Sequence, residues 1–286
     1  MEQNPETQWD LVIESERSFF TLNLRETLHY SDLLWLLVRR DFVSLYKQTI
    51  LGPVWFFLQP LITTITFTII FGRLAKIDTG DTIPQPLFYM AGIVTWNYFA
   101  ECLTKTSTVF KDNAGIFGKV YFPRLIMPLS IVMSNLLKFG VQLLLFAVTF
   151  IYYVVARDYR PEMSAYIFLI PLMLTIMAGL GLGLGMIISA ATTKYRDLAF
   201  LITFGVQLFM YATPVIYPLS TLPEDARNIM QWNPMAPVIE GMRFGFFGEG
   251  LFSWSYLAYS LGITTFILFL GILIFNRVEQ KFVDTV

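Results

Sequence analysis

The sequence predicts an all-α integral membrane protein with six transmembrane helices, an amino-terminal amphipathic interfacial helix and a re-entrant helix pair between spans five and six. Of its 286 residues, 55% are hydrophobic and only 14% are charged, whereas a soluble domain usually has about 25% charged residues. The apolar residues are gathered in blocks that approach the roughly 20 residues needed to cross a bilayer. These two observations exclude an ordinary soluble domain.

Several function classes are excluded by what the sequence lacks. A net charge of −1 argues against nucleic acid as a partner. The single Cys102 rules out an internal disulfide and a cysteine metal cluster, and its apolar neighbours predict a packing role. His29 has no partner for metal binding or catalysis, and no phosphate-binding loop of the G-x-x-x-x-G-K-[ST] type occurs. We expect no catalytic residue, metal or cofactor in this chain.

Two segments precede the first span. Residues 1–28 are polar and acidic, which predicts a cytosolic segment without a cleavable signal peptide. Residues 29–52 are too charged to span the membrane, although Leu33, Leu36 and Leu37 follow helical spacing. We predict an amphipathic helix at the cytosolic interface, whose basic side chains extend to the lipid headgroups.

A transmembrane domain is predicted over residues 53–275, followed by a cytosolic tail at 276–286. Its six apolar blocks are 53–71, 87–110, 125–155, 165–190, 198–217 and 254–275. The segments placed on the cytosolic side carry twelve basic residues: Arg17, Arg25, Arg39, Arg40, Lys47, Lys111, Lys119, Arg124, Lys194, Arg196, Arg277 and Lys281. The opposite segments carry six: Arg73, Lys76, Arg157, Arg160, Arg227 and Arg243. This bias predicts that both termini are cytosolic.

Residues 218–253, between spans five and six, are too apolar for a free loop and too interrupted for a span. Pro223 can begin a short helix, and the Asn233-Pro234 pair should end it. A second helix can then form from Ala236 to Phe247. We predict that these two helices re-enter the outer leaflet, where irregular backbone is tolerated only against protein or water.

Ionisable residues inside predicted spans are candidates for function. Glu101 and Lys105 lie four residues apart, which favours an ion pair near the headgroups over a functional role. For Lys138, substrate contact and pairing with a neighbouring helix both remain open. The glycines of the fourth span favour close helix packing over a hinge; they are Gly179, Gly181, Gly183 and Gly185.

The chain is rich in aromatic residues, with 27 Phe, 14 Tyr and 6 Trp. Aromatic belts at the two membrane interfaces explain much of this excess. Rings along a passage would also stack on the apolar faces of sugars, much as they stack on bases. Composition favours the belts and leaves the second interpretation open.

One stretch, RDFVSLYKQTILGPVWFFLQP at residues 40–60, resembles the amino-terminal signature of the membrane subunits of ABC-type polysaccharide exporters. These are the Wzm-, KpsM- and TarG-like permeases of O-antigen, capsule and teichoic acid export. Further segments look like the same family: residues 112–124, Tyr195-Arg196-Asp197, Trp232-Asn233-Pro234-Met235, and Glu279, Phe282 and Asp284 in the tail. The resemblance runs from about residue 29 to the end of the chain.

The resemblance implies a homodimer in a bacterial inner membrane that recruits two ABC ATPase subunits. ATP and Mg would then bind in those partners, and membrane lipid would surround the dimer. The substrate would be a polysaccharide on undecaprenyl diphosphate, with O-antigen favoured and capsule or teichoic acid as alternatives. A lipid or drug exporter is a more distant alternative. A secondary transporter would show two homologous halves, and a membrane enzyme would show clustered acids; the sequence shows neither.

The resemblance also implies roles for individual residues. Two loops would couple the chain to the ATPase, through Asp112, Asn113, Ile116, Lys119, Tyr121, Phe122, Pro123, Arg124, Lys194, Tyr195, Arg196 and Asp197. The lipid diphosphate would contact Arg39, Arg40 and Lys47, although ordinary attraction to anionic lipid also explains these charges. The sugar path would include Trp55, Phe56, Tyr211 and Tyr217.

Overall fold

The computed structural model describes residues 29–47, 51–80, 82–117, 122–195 and 197–283, and every regular element in these ranges is helical. The predicted all-α class is therefore confirmed. The helices are α1 (Ser31–Tyr46), α2 (Trp55–Phe67), α3 (Gln85–Ser107), α4 (Val109–Asp112), α5 (Ala114–Phe117), α6 (Ile126–Ala156), α7 (Ile170–Lys194), α8 (Leu198–Tyr211), α9 (Glu224–Gln231), α10 (Ala236–Phe247) and α11 (Trp254–Val283).

Shorter helical turns extend some of these elements. Gly52–Val54 is a 3₁₀ turn before α2, and Thr68–Leu74 continues α2 as a π-helix. Ala165–Leu169 is a 3₁₀ turn that leads into α7, and Leu219–Thr221 is a 3₁₀ turn before α9. The predicted cytosolic segment 1–28, together with Lys119, Tyr121, Arg196 and Asp284, lies outside the described residues, as do the side chains of Glu279 and Phe282.

Within the part of the chain that the structure describes, four helical stretches are long and apolar enough to cross a membrane: Gly52–Leu74, Ile126–Ala156, Ala165–Lys194 and Trp254–Val278. The chain is thus a multi-pass membrane protein. α3 has sufficient length at 23 residues but carries Glu101 and Lys105. α8 is apolar but has only 14 residues, or about 21 Å against a hydrocarbon core of about 30 Å. The count of six spans remains a prediction.

The fifth predicted span is shorter than its apolar block. Residues 198–217 were expected to form one helix, but α8 ends at Tyr211. Pro214 disfavours the helical conformation at Thr213. The side chain of Asn233 donates to the Ala212 carbonyl at 3.1 Å and to the Thr213 hydroxyl at 2.9 Å, which holds the chain in a turn there.

The core is built around α3 and α7. α7 packs against α3 on one face and α11 on the other, while α6, α2, α8 and α10 surround the rest of α3. A Cβ atom on Gly181 would lie 2.7 Å from the Cβ of Cys102 on α3, and one on Gly183 would lie 2.9 Å from the Leu268 backbone on α11. The glycines therefore allow close packing on two faces, and Cys102 is fully buried between the helices.

The predicted amphipathic segment contains α1, which packs against α6. Leu37 and Val38 are buried at this contact, whereas Trp35 and Leu36 are 57% and 62% exposed. Leu36 and Leu37, which the sequence places on one apolar stripe, therefore face in different directions. The buried half packs on protein, and the exposed half is free to face lipid.

Two short helices occur in the predicted re-entrant region. α9 and α10 are separated by Asn233, whose side-chain oxygen accepts from the Met235 amide at 2.9 Å. Gly248, the residue after α10, has φ +74°, and a Cβ atom there would collide with the Glu162 carbonyl. Only glycine suits both the left-handed conformation and the close approach. Whether this pair re-enters the bilayer remains a prediction.

Candidate functional site

The segment that follows α3 packs onto one end of the helix bundle, which we call the α4–α5 end. Phe110 of α4 is buried and stacks on Phe275 of α11 at a centroid distance of 4.6 Å. Phe117 of α5 stacks on Phe122 at 5.9 Å, and the Arg124 guanidinium lies 5.4 Å from the Phe117 ring. These rings belong to one buried cluster that also contains Ile126 of α6, so this segment is packed against the bundle.

A hydrogen bond joins this segment to the second predicted coupling loop. The hydroxyl of Thr192, near the end of α7, donates to the Ser107 carbonyl at 2.5 Å. Ser107 is the last residue of α3, and only Thr108 separates it from α4. The structure thereby brings the two predicted loops to the same end of the bundle.

The predicted coupling residues divide into exposed and buried groups. Asp112, Lys194, Tyr195 and Asp197 are exposed. The Lys194 ammonium lies 5.1 Å from the Tyr195 ring centroid, and Asp112 accepts a hydrogen bond from the Thr108 hydroxyl at 2.6 Å. Asn113 and Ile116 are half-buried, whereas Phe122, Pro123 and Arg124 are buried. The exposed group can contact a partner, and the buried group holds the loop on the bundle.

The basic residues of the α1 region are accessible. Arg39, Arg40 and Lys47 are all exposed. Arg40 forms an ion pair with Asp41 at 2.7 Å, so part of its charge is already balanced. An exposed pair of this kind is worth little energy, and an anionic ligand can compete for the guanidinium.

The four predicted sugar-path residues do not form one cluster. Trp55 and Phe56 begin α2 beside α1, where Phe56 lies 6.1 Å from Phe42 and Trp55 is 48% exposed. Tyr211 and Tyr217 lie at the far end of α8, and the Tyr217 hydroxyl donates to the Tyr211 carbonyl at 3.1 Å. The two pairs are at opposite ends of the bundle.

A charged cluster lies between α3 and α6. The Lys138 ammonium is 2.6 Å from Glu101 Oε2, and the Lys105 ammonium is 3.6 Å from the same oxygen. The Lys138 ammonium also lies 5.9 Å from the Phe56 ring. Of the two roles left open for Lys138, pairing with a neighbouring helix is therefore observed. The expected Glu101–Lys105 contact is also present.

One buried ion pair carries a structural role that the sequence analysis missed. Arg243 of α10 is buried and donates to the Pro214 and Val215 carbonyls, each at 2.6 Å. Its guanidinium lies 3.6 Å from the Phe88 ring and 3.4 Å from Glu240. The arrangement ties α10 and the turn after α8 to α3. The sequence signal for this ion pair is that Glu240 and Arg243 lie three residues apart in an otherwise apolar helix.

A cavity of about 570 Å³ lies at the opposite end of the bundle from α4 and α5, and Tyr153, Arg157, Tyr159 and Arg160 line it. Burial, together with the negative charge of Glu249, raises the pKa of Tyr159 to about 12. The phenol therefore stays neutral at ordinary pH. Across the described ranges, no group of three His, Cys, Asp or Glu side chains could hold a metal ion.

Comparisons with known proteins give a consistent result. Residues 32–247 match the ABC-2 type transporter family. The chain is 30% identical to the O-antigen export system permease protein RfbA of Klebsiella pneumoniae over 267 residues, which cover 92% of this chain and 99% of that protein. It is 27% identical to the Myxococcus xanthus protein of the same name, with 92% and 98% covered. The polysialic acid transport protein KpsM of Escherichia coli is 22% identical, with 84% and 91% covered.

Proposed function

The chain belongs to the ABC-2 type transporter family, and from that premise we propose that it is the membrane subunit of an ATP-driven polysaccharide exporter. Its relatives are named permease proteins, so the chain is a transport subunit and not an enzyme. The proposed substrate is a polysaccharide linked to undecaprenyl diphosphate, with O-antigen first. The proposed movement is from the cytosol across the bacterial inner membrane.

The α4–α5 end carries this proposal. An exposed surface of mixed charge, formed by Asp112, Lys194 and Asp197, lies at the same end of the bundle as Phe110, whose ring is buried against α11. Such a surface can dock a soluble protein and transmit its movement, because packed cores deform little. ATP and Mg bind in that partner under this proposal. Two ABC ATPase subunits would serve two copies of the chain.

The proposed topology places the α4–α5 end and both termini in the cytosol. α3 and α8 complete six spans with the four long apolar helices, and α9 with α10 re-enters from the outer side. In support, α8 has no buried residue, and only 17% of the most apolar part of Gly52–Leu74 is buried. A second copy packed along these two elements would cover them.

The proposed substrate contacts follow the same geometry. Arg39, Arg40 and Lys47 would meet the lipid diphosphate at the proposed cytosolic interface, because their side chains are exposed. Trp55 with Phe56 and Tyr211 with Tyr217 would line the two mouths of the sugar path. Ordinary binding of anionic lipid at α1 is the alternative for the three basic residues.

Deletion of the chain tests the function directly. Without it, polymer should accumulate in the cytosol and disappear from the cell surface, and the complete chain should restore surface polymer. Purified with its ATPase, the chain should also raise nucleotide hydrolysis. Normal surface polymer after deletion, in a strain without a second exporter, would contradict the proposal.

Export of a capsular polysaccharide is the second candidate, because the capsule polysaccharide export inner-membrane protein CtrC of Neisseria meningitidis also aligns with 85% of the chain. Complementation separates the two candidates. The chain is expected to restore export, when supplied with its own ATPase, in a strain that lacks its O-antigen permease and not in one that lacks its capsule permease. Rescue of the capsule strain alone would favour the second candidate. Teichoic acid, lipid and drug export remain more distant alternatives.

A further inference from the structure

One face of α3 is polar, although the helix lies in the centre of the bundle. The polar residues of this face are half-buried or exposed, and apart from the half-buried Ala100 the residues between them are buried; the polar residues are Asn97, Glu101, Thr104 and Lys105 of α3, together with Thr108, which follows the helix. The Glu101 and Lys105 side chains are 34% and 46% exposed. Charged groups in contact with lipid chains are costly. This open face of α3 therefore fits water or a polar ligand better than lipid.

The charges on the open face do not balance. Two ammonium groups, those of Lys105 and Lys138, share the single carboxylate of Glu101. Neither α2 nor the rest of α6 carries a charged residue that could compensate. Lys138 is 7% exposed and lies behind the carboxylate. The surplus positive charge is consequently presented by Lys105, on the accessible side.

Buried polar atoms next to the cluster also lack partners. The Ser134 hydroxyl and the Asn135 side-chain oxygen, on the turn of α6 before Lys138, form no hydrogen bond with any described residue. Unsatisfied buried polar atoms usually have water or a ligand as partner. A water molecule or a polar ligand at the boundary between α3 and α6 would satisfy these atoms.

We propose that Glu101, Lys105 and Lys138 form an anion-binding site on a hydrated wall of the transport passage, and that this site contacts a phosphate group of the substrate. This proposal rests on the proposed function, because the chain has a passage with a wall only if it is a transport subunit. Phosphate could belong to the lipid carrier or to the polymer itself. In either case the recognition is the same, an ammonium group bound to a phosphate oxygen.

Thiol labelling tests the site without any transport. Cys102→Ser removes the native thiol, and Thr104→Cys places a new one on the open face. The protein is studied with its ATPase in phosphatidylcholine nanodiscs, with thiol reagents of opposite charge. A net charge of +1 at about 6 Å changes the local concentration of each reagent about threefold. The anionic reagent should therefore react about tenfold faster than the cationic one, relative to a free thiol.

Substitutions at Lys105 provide the matched comparison. Lys105→Gln should reduce the ratio of the two rates to about one, and Lys105→Arg should preserve it. Val148→Cys is the lipid-facing control, because Val148 is an apolar residue of α6 that is 58% exposed; it should not react. If Thr104→Cys is equally unreactive, or if its ratio does not depend on Lys105, the anion site is wrong.

Protection identifies the source of the phosphate. Inorganic pyrophosphate and undecaprenyl diphosphate are compared as inhibitors of the labelling. Protection by both assigns the site to phosphate itself, and protection only by the lipid assigns it to the lipid carrier. Failure of both overturns the proposal. These labelling results are independent of the deletion phenotype, so failure of this site and failure of the exporter function are distinguishable.

Discussion

Arg243 shows how a single residue can fix the path of the chain. The two carbonyls that it binds lie in the turn after α8, and Phe88, which lies beneath its guanidinium, belongs to α3. Gly92 leaves room for this side chain, because a Cβ atom there would lie 2.8 Å from Arg243 Nη2. The turn after α8 therefore depends on one buried cation.

Replacing this cation should destabilise the protein strongly. Arg243→Ala leaves Glu240 buried without its cation and removes the donors to two carbonyls. Loss of one partner of a buried pair typically costs about 3–5 kcal/mol. We expect a clear fall in the thermal unfolding midpoint of the purified protein. Arg160→Ala is the control, since Arg160 is 86% exposed; an equal fall for both variants would contradict the assigned role.

The exposed charges at the α4–α5 end should act differently. Asp112→Lys and Lys194→Glu each reverse a charge that faces solvent, so the unfolding midpoint should change little. Each variant should weaken ATPase binding several-fold, and more at low salt, because interfacial charges act largely through association. Affinity is measured by pull-down titration at two salt concentrations. Unchanged affinity in both variants would show that the partner docks elsewhere.

At the scale of the element, α7 holds the bundle together through its glycines. Gly181 and Gly185 face α3, while Gly179 and Gly183 face α11. Small residues at this spacing let helix backbones approach closely, which is a main source of attraction between helices in lipid. The sequence spacing of these glycines does not indicate which neighbouring helix each face of α7 contacts.

A methyl group at Gly183 tests this packing. Gly183→Ala would place a carbon 2.9 Å from the backbone of Leu268, which cannot rotate away. Overpacking of this kind costs about 1–3 kcal/mol, so the unfolding midpoint should fall. The control is Gly140→Ala on α6, where a Cβ atom meets nothing within 4 Å. That change should be neutral or stabilising, since alanine favours helix; the reverse order would contradict the packing role.

At the scale of the whole molecule, the described bundle leaves α8 and the apolar stretch Gly52–Leu74 largely uncovered. α8 exposes several aromatic side chains, including Phe200 at 79% and Phe204 at 60%. Lipid would cover such a surface, as would a second copy. The proposed homodimer predicts that the α8 helices of two copies lie within reach of each other.

Cross-linking in the membrane shows whether α8 is covered by lipid or by a second copy of the chain. In a Cys102→Ser background, Phe204→Cys should be joined by a bis-maleimide into a species of twice the 32.9 kDa chain mass. Val148→Cys on α6 has similar exposure, 58%, and should remain monomeric. Equal cross-linking at both positions would indicate random collision, and none at Phe204→Cys would contradict a dimer through α8.

The sequence by itself determined the helical class and the position of most helices, because apolar block length and proline placement are local properties. It also indicated the family, since motifs such as residues 40–60 are contiguous. Only the tertiary structure decided that Lys138 pairs with Glu101, that Leu36 points away from Leu37, and that Arg243 holds the turn at which α8 ends. Each of these depends on residues far apart in the chain, and their contacts are set by how the helices pack together.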